Sequence, residues 1–359
     1  MIKKIDRYII VRYLITFFVM ILLFIPIGIM ADIAENVDKL KENEVPFAEI
    51  LSYYIDFTWY FGNLLFPIFL FLAVIWFTSK LANNTEIIAI LSSGISFTRF
   101  LRPYLIAAGF IALFAFVGGM YIVPKASEGY NAFRYKYMTK RVQDRQTSDL
   151  FKQINENEYV FVSSYNPDRL RGTNFTLEHF EGEELQFKIF AQSIRWMEED
   201  SLFRMINYGK RTLDGDKEYY EKANKKDTLF DFEIQELAPL KYTAETLQFS
   251  DLNRFIEEER KSGSVLINNH LLVRHKRYSL PLSAFVLTII AVAVSSFKRR
   301  GGMGVNLAFG IGIGFTFIFF DKIFGVLVTK SNFPPFVGAW LPLALFAILA
   351  VILLNYAKR

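Results

Sequence analysis

Three histidines, His179, His270 and His275, are the first residues to test for chemistry, and their spacing fits no zinc motif. The pattern G-x-x-x-x-G-K-[ST] does not occur, so the chain has no P-loop with which to hydrolyse ATP. Gly310-Ile311-Gly312-Ile313-Gly314 superficially looks like a nucleotide loop, but it lies inside an apolar run. There, Gly310 and Gly314 read as small residues for close helix packing. The absence of cysteine excludes thiol catalysis, disulfides and iron–sulfur ligation. What remains is no enzyme constellation but a few charged groups placed beside long apolar segments.

The most unusual of these is Ser79–Pro103, SKLANNTEIIAILSSGISFTRFLRP. Asn84 or Thr85 can cap a short helix, Glu86 falls in its first turn, and Gly94 can end it, so a helix is expected near 84–94. Glu86 is the only acid in the segment, and Ile87, Ile88, Ile90 and Leu91 make one side apolar. Such a helix either lies on a membrane surface or docks in the groove of another subunit with Glu86 as a charged anchor. A second group, Arg274, His275, Lys276 and Arg277, precedes an apolar span, and Asp321 and Lys322 lie within another. A third follows the first span, where Asp32 and Glu35 are succeeded by Lys39 and Lys41. The Arg274–Arg277 cluster either anchors a helix end or contacts an anionic lipid headgroup, since charge-assisted bonds to phosphate are strong, whereas Asp321 and Lys322 read as interfacial snorkelling.

The elements that position these groups follow from hydropathy. Hydrophobic residues make up 52% of the 359, and they fall in blocks of about 20, the length that spans roughly 30 Å of hydrocarbon. The blocks run approximately from Tyr8 to Met30, Trp59 to Thr78, Tyr104 to Val123, Ser279 to Ser296, Val305 to Val328 and Phe336 to Leu354. Three therefore precede and three follow one polar insert, giving an organisation of 1–123, 124–270 and 271–359. The basic N-terminus ahead of an apolar stretch resembles a signal peptide, but the stretch is too long and no A-x-A site follows, so it reads as a retained helix. Ionisable residues deep in the spans are nearly absent, which weighs against an ion-driven carrier.

Short-loop cations set the orientation. Lys3, Lys4, Arg7 and Arg12, then Lys80, Arg99 and Arg102, then Lys298, Arg299 and Arg300, and finally Lys358 and Arg359 fall on one side. The opposite short loops are mostly acidic. Both termini are thus expected in the cytoplasm and the insert outside, in the periplasm of a Gram-negative cell. The formal net charge of +5 resides in the membrane part, because acids outnumber bases between Lys125 and Lys261. Cations dispersed among apolar spans suit anionic headgroups rather than nucleic acid.

The insert reads as β. Tyr159–Ser163, Asn174–His179, Leu185–Phe190 and Phe203–Tyr208 are short aromatic and branched runs separated by turn-like clusters. Those clusters are Asn166-Pro167-Asp168, Glu181-Gly182-Glu183 and Glu199-Asp200-Ser201, with Asp214-Gly215 a further turn. The spacing predicts an antiparallel sandwich or barrel with Trp196 and the phenylalanines in its core, or lining an open apolar seam for acyl chains. The charged stretch Lys217–Asp227 reads as a loop. A short helix is expected near 250–262, with Ser250 as its cap, Leu252, Phe255 and Ile256 on one face, and Gly263 as its stop. The fold class is therefore membrane α-helical, six transmembrane helices in a 3+3 arrangement, with an inserted periplasmic all-β jellyroll-like domain.

Five features together resemble the LptF/LptG permease family of the lipopolysaccharide exporter. They are the layout, the segment TEIIAILSSGISFTRFLRPYL, the segment ETLQFSDLNRFIEEERKSG, the entry RHKRYSLPLSAF into the fourth span, and the turn KRRGGMGVNLAFGIGIGF. The resemblance covers essentially the whole chain. It implies a permease without ATPase chemistry of its own, in the inner membrane. It also implies a second LptF/LptG-type permease, an LptB-like ATPase dimer that uses ATP and Mg, and LptC/LptA-like jellyroll proteins that receive the lipid. The chain itself would bind no cofactor or metal. By the same resemblance Glu86, with Ile87, Ile90, Leu91, Gly94 and Arg99, forms the ATPase-coupling segment. The lipid-binding candidates are Lys39, Lys41, Arg274, Lys276, Arg277 and Lys322. A G-type subunit fits slightly better than an F-type. The alternative reading is a non-transport assembly or signalling protein with a periplasmic β sensor.

Overall fold

A computed structural model of the chain describes residues 3–138, 147–167, 169–197, 200–215, 217–230, 232, 240, 242–297 and 302–358. Lys298, Arg299, Arg300 and Arg359 of the basic set, and Asp168 and Glu199 of the expected turns, lie outside the described residues. The chain divides into two compact units, Met1–Phe133 with Glu245–Phe249 and Leu271–Arg359, and Arg134–Ala244 with Ser250–His270.

The first unit is helical: α1 (Lys4–Glu42), α2 (Phe47–Asn83), α3 (Glu86–Ser92), α4 (Phe97–Val117) and α5 (Val123–Phe133) come first. After the second unit come α8 (Ile267–Ser295), α9 (Gly302–Lys330) and α10 (Pro335–Ala357). Six helices among the described residues are long and apolar enough to cross a membrane. Several outrun the apolar blocks. At 39 residues α1 extends for about 58 Å at the standard rise, nearly twice the hydrocarbon thickness. The third span continues through a π turn at Gly118–Ile122 into α5. Hydropathy misses these extensions because their sequence is polar and they are held by contacts on one side of each helix. Tyr53 of α2 stacks on Phe133 at 4.4 Å between ring centroids, and Tyr60 on Tyr130 at 4.2 Å.

Lipid is as apolar as a leucine side chain, so close backbone approach and hydrogen bonds must distinguish helix contacts here. Tyr13 of α1 and Thr288 of α8 share a buried hydrogen bond of 2.8 Å, and Thr78 of α2 donates to the Tyr104 hydroxyl of α4 at 3.2 Å. On α9, Asn306, Gly310 and Gly314 recur every fourth residue and form one stripe. Opposite them on α2 stand Ser79, Ile75 and Phe71, also four apart. Asn306 donates to the Ser79 hydroxyl at 3.3 Å, and a Cβ on Gly314 would lie 3.5 Å from Phe71. The expected helix-packing role of the two glycines thus has a specific opposing surface.

The second unit holds six antiparallel strands: β1 (Ser148–Gln153), β2 (Glu158–Asn166), β3 (Arg171–Glu181), β4 (Glu184–Met197), β5 (Leu202–Asp214) and β6 (Lys217–Thr228). They pair in chain order within one sheet, a meander, where spacing alone suggested a sandwich or barrel. Inward residues meet in register, Val160 opposite Leu177 and Val162 opposite Phe175. Asn207, at φ +53°, shifts the buried phase of β5 from Met205 to Tyr208. Phe230 and Phe232 cover this face, their rings 5.6 and 5.2 Å from that of Phe203. Trp196 packs on Phe203 at 4.8 Å, as a core residue would.

The stretch Lys217–Asp227 corrects the loop reading: it is strand β6 at the edge of the sheet. Its composition misled because an edge strand with little buried surface needs no apolar alternation. The turn at Gly215 (φ +58°) and cross-strand charge pairs hold it instead. A four-residue helix, α6 (Thr243–Thr246), precedes α7 (Phe249–Lys261). Leu252 and Ile256 are fully buried, and Gly263 takes φ +68° beyond the last turn of α7. Ser250 is the second residue of α7, two positions later than a cap.

Candidate coupling site

The loop between α2 and α4 folds as expected into a short helix, and its ends are built by backbone conformation. Thr85 precedes α3 at φ +60° and makes no side-chain cap. Gly94 follows at φ +86°, a left-handed turn that costs glycine least. Ser96 then caps α4 by accepting from the Arg99 amide at 3.3 Å.

Seven residues give α3 two distinct sides. Ile87 is buried and joins the core of the helical unit, with Ile90 and Leu91 packed partly against it. Ile88 points the other way and is 54% exposed, beside exposed Ala89 and Ser92. The apolar residues expected to serve a partner therefore split, most of them holding α3 to its own chain and Ile88 facing outward.

Glu86 is held at the start of α3. The Asn84 amide donates to one carboxylate oxygen at 3.1 Å, and the Tyr8 hydroxyl of α1 approaches the other at 3.4 Å. Arg99 turns toward the same helix. Its guanidinium grips the Asp6 carboxylate with two parallel bonds, 2.8 and 2.7 Å. The Lys3 amide donates to Asp6 as well, at 2.9 Å. Asp6 is 6% exposed, so this ion pair is shielded on the carboxylate side. Sequence reading placed Glu86 and Arg99 in the segment but missed Asp6 and Tyr8. The one available signal was a lone acid in the basic run KKIDRY.

The basic candidates do not form one constellation. Lys39 and Lys41 are exposed on the last turn of α1. Lys276 of α8 pairs with Asp321 of α9 at 2.7 Å, and Lys322 beside it is exposed. Arg277 is buried and donates to the Leu247 carbonyl at 2.5 Å, tying the α6–α7 connection to α8. Arg274 is half-buried on the same turn. Glu245 of α6 was not anticipated. Burial raises its carboxyl above the usual range, against the opposing charges of Lys322, Lys276 and Arg277. This group can present one or two ammonium charges to an anion while part of it is neutralised from within.

Comparison with known proteins supplies the frame for these parts. A family model described as lipopolysaccharide export system permease LptF/LptG matches residues 7–356. The lipopolysaccharide export system permease protein LptG of Escherichia coli K12 is 22% identical over 294 residues, 81% of each chain. The protein of the same name from Escherichia coli O6:H1 matches with the same figures.

Proposed function

Because the chain belongs to the LptF/LptG family of lipopolysaccharide export permeases, we propose that it is a G-type permease subunit that extracts lipopolysaccharide from the inner membrane under power from a separate ATPase. The observation that carries this reading is α3, a short helix with Glu86 at its start and Ile88 facing outward, bonded directly to the base of α1. A chain without a P-loop must receive its energy through contact, and α3 is a compact lever for that contact. In this reading α3 docks in a groove of an LptB-like subunit. That subunit forms a dimer, uses ATP and Mg, and serves a second permease of the same family.

The rest of the chain takes roles to match. The termini and α3 lie in the cytoplasm. The insert that carries the β-sheet lies in the periplasm as the station that hands lipid to LptC/LptA-like proteins. Arg274, Lys276 and Lys322 of α8 and α9 serve as phosphate ligands in one place and Lys39 and Lys41 of α1 in another, and buried Arg277 is a structural neighbour of the first group. Purification from native membrane with mass spectrometry of bound protein and lipid tests this directly. An ATPase and a phosphorylated lipid A species are expected, and Glu86→Lys should deplete the ATPase alone. Full ATPase association and transport in Glu86→Lys would overturn the coupling role, and a wild-type complex without either component would overturn the transport reading.

A further inference from the structure

We infer that the Asp6–Arg99 ion pair is the strut that transmits movement of α3 to α1. This rests on the transport reading above and assigns a positioning role that contact with a partner does not require. Four observations carry it. The pair bridges residues 93 positions apart, joining the first turn of α1 to the first turn of α4. The two terminal guanidinium nitrogens each donate to a different carboxylate oxygen, a fork geometry that resists rotation as well as separation. The Asp6 carboxylate is covered while the pair is formed, so the contact is closed on that side. Finally, the Tyr8–Glu86 contact bonds the same stretch of α1 to the start of α3.

Together these contacts bracket α3. One ties α1 to the residue that opens α3, and the other ties α1 to the helix that follows it. Flexing at Gly94 alone would stretch the Tyr8–Glu86 contact, because the chain beyond the glycine is fixed to the same stretch of α1 by Arg99. The base of α1 must then move with α3 as one body. A merely stabilising pair would be replaceable without changing how hydrolysis and lipid movement are linked.

The test uses the reconstituted complex with its ATPase, in vesicles containing lipopolysaccharide. In Asp6→Asn, which removes the charge from the side of the pair outside the coupling segment, the ATPase should still co-purify and hydrolyse ATP, while lipid released per ATP falls about tenfold. Reversing the pair, Asp6→Arg with Arg99→Asp, should recover at least part of that yield. Because the chain lacks cysteine, nitroxide labels attached at Lys4→Cys and Thr98→Cys before assembly report the junction with no competing site on this chain. Their separation should stay narrow and unchanged through the ATP cycle, and broaden in Asp6→Asn. Unaltered lipid yield in Asp6→Asn, a reversed pair no better than the single variant, or a label distance that changes during the wild-type cycle would overturn the inference. Loss of the ATPase from Asp6→Asn would make the pair part of the docking surface and also overturn it. A wild-type complex that hydrolyses ATP without releasing lipid would instead bring down the transport reading itself.

Discussion

Gly310 of α9 stands so close to Ile75 of α2 that a Cβ built on the glycine collides with the Ile75 Cδ1 atom and lies 3.2 Å from its Cγ1. The colliding atom is the flexible end of a side chain, so small additions can be accommodated and large ones cannot. Gly310→Ala should cost under about 1 kcal/mol, whereas Gly310→Leu should cost about 1–3 kcal/mol as an overpacked contact. Ile75→Ala placed on Gly310→Leu should recover much of the loss. Unfolding of the detergent-solubilised protein measures all three. Equal costs for Ala and Leu, with no recovery, would show that α2 and α9 do not meet at this stripe.

Asp32 of α1 is buried and accepts from the hydroxyls of Tyr53 at 3.1 Å and Tyr54 at 3.3 Å, both on α2, with Asn36 donating at 3.3 Å from its own helix. Removing the acceptor leaves buried hydroxyls to find new partners. Asp32→Ala should therefore destabilise by about 1–3 kcal/mol, and Tyr53→Phe by less, since Tyr54 keeps its bond. The readout is the same unfolding transition. A silent Asp32→Ala would mean that the α1–α2 contact does not depend on this carboxylate.

On β6 the charge pairs predict a pH dependence. Hydrogen bonds from Arg204 to Asp227 and from Arg211 to Glu218 lower both carboxyls below their ordinary values. A depressed carboxyl stabilises the fold in full above its unfolded pKa, about 3.9 for Asp and 4.3 for Glu, and that contribution disappears as pH falls through the folded value. Amide exchange in β6 should thus accelerate below pH 4 more than in β3, after correction for intrinsic rates. Asp227→Asn should remove part of that difference. Both pairs are well exposed, so the effect is local and should weaken in high salt. Uniform protection across the sheet at low pH would contradict this account.

How much of this was legible beforehand depended on which solvent each residue meets. The six spans were readable because lipid demands unbroken apolar runs, and Gly94 because few residues but glycine tolerate φ +86°. The cores of β2 to β5 were readable from short aromatic and branched runs set between turn residues. The polar turns of α1, α2 and α8 beyond the apolar blocks were not, because contacts between helices, such as Asp32 with Tyr53 and Tyr54, stabilise polar sequence that hydropathy assigns to loops. Strand β6 was missed for a related reason: its hydrogen bonds to β5 come from the backbone, which composition does not report. Within the candidate site, Glu86 was visible as a lone acid. Its partner Tyr8 and the Asp6–Arg99 pair were hidden, because they join residues 78 and 93 positions apart.

The two adjacent isoleucines of α3 separate docking from folding. Ile87 is 1% exposed within the helical core and Ile88 is 54% exposed, although their sequence context is nearly the same. An aspartate at position 87 would bury a charge with no counterion, a cost that ranks among the largest single substitutions produce. Ile87→Asp should lower the thermal midpoint of the purified chain sharply. Ile88→Asp should leave that midpoint within a degree or two, since exposed substitutions usually change stability by under about 0.5 kcal/mol. If α3 docks in the ATPase, however, Ile88→Asp places a charge in that apolar contact and should weaken co-purification of the ATPase about tenfold or more, because desolvated anchors commonly contribute over 1–2 kcal/mol. Thermal shift and pull-down on the same preparations decide the matter. An Ile88→Asp chain that retains its ATPase would move the docking surface off the outward side of α3, whatever becomes of Glu86.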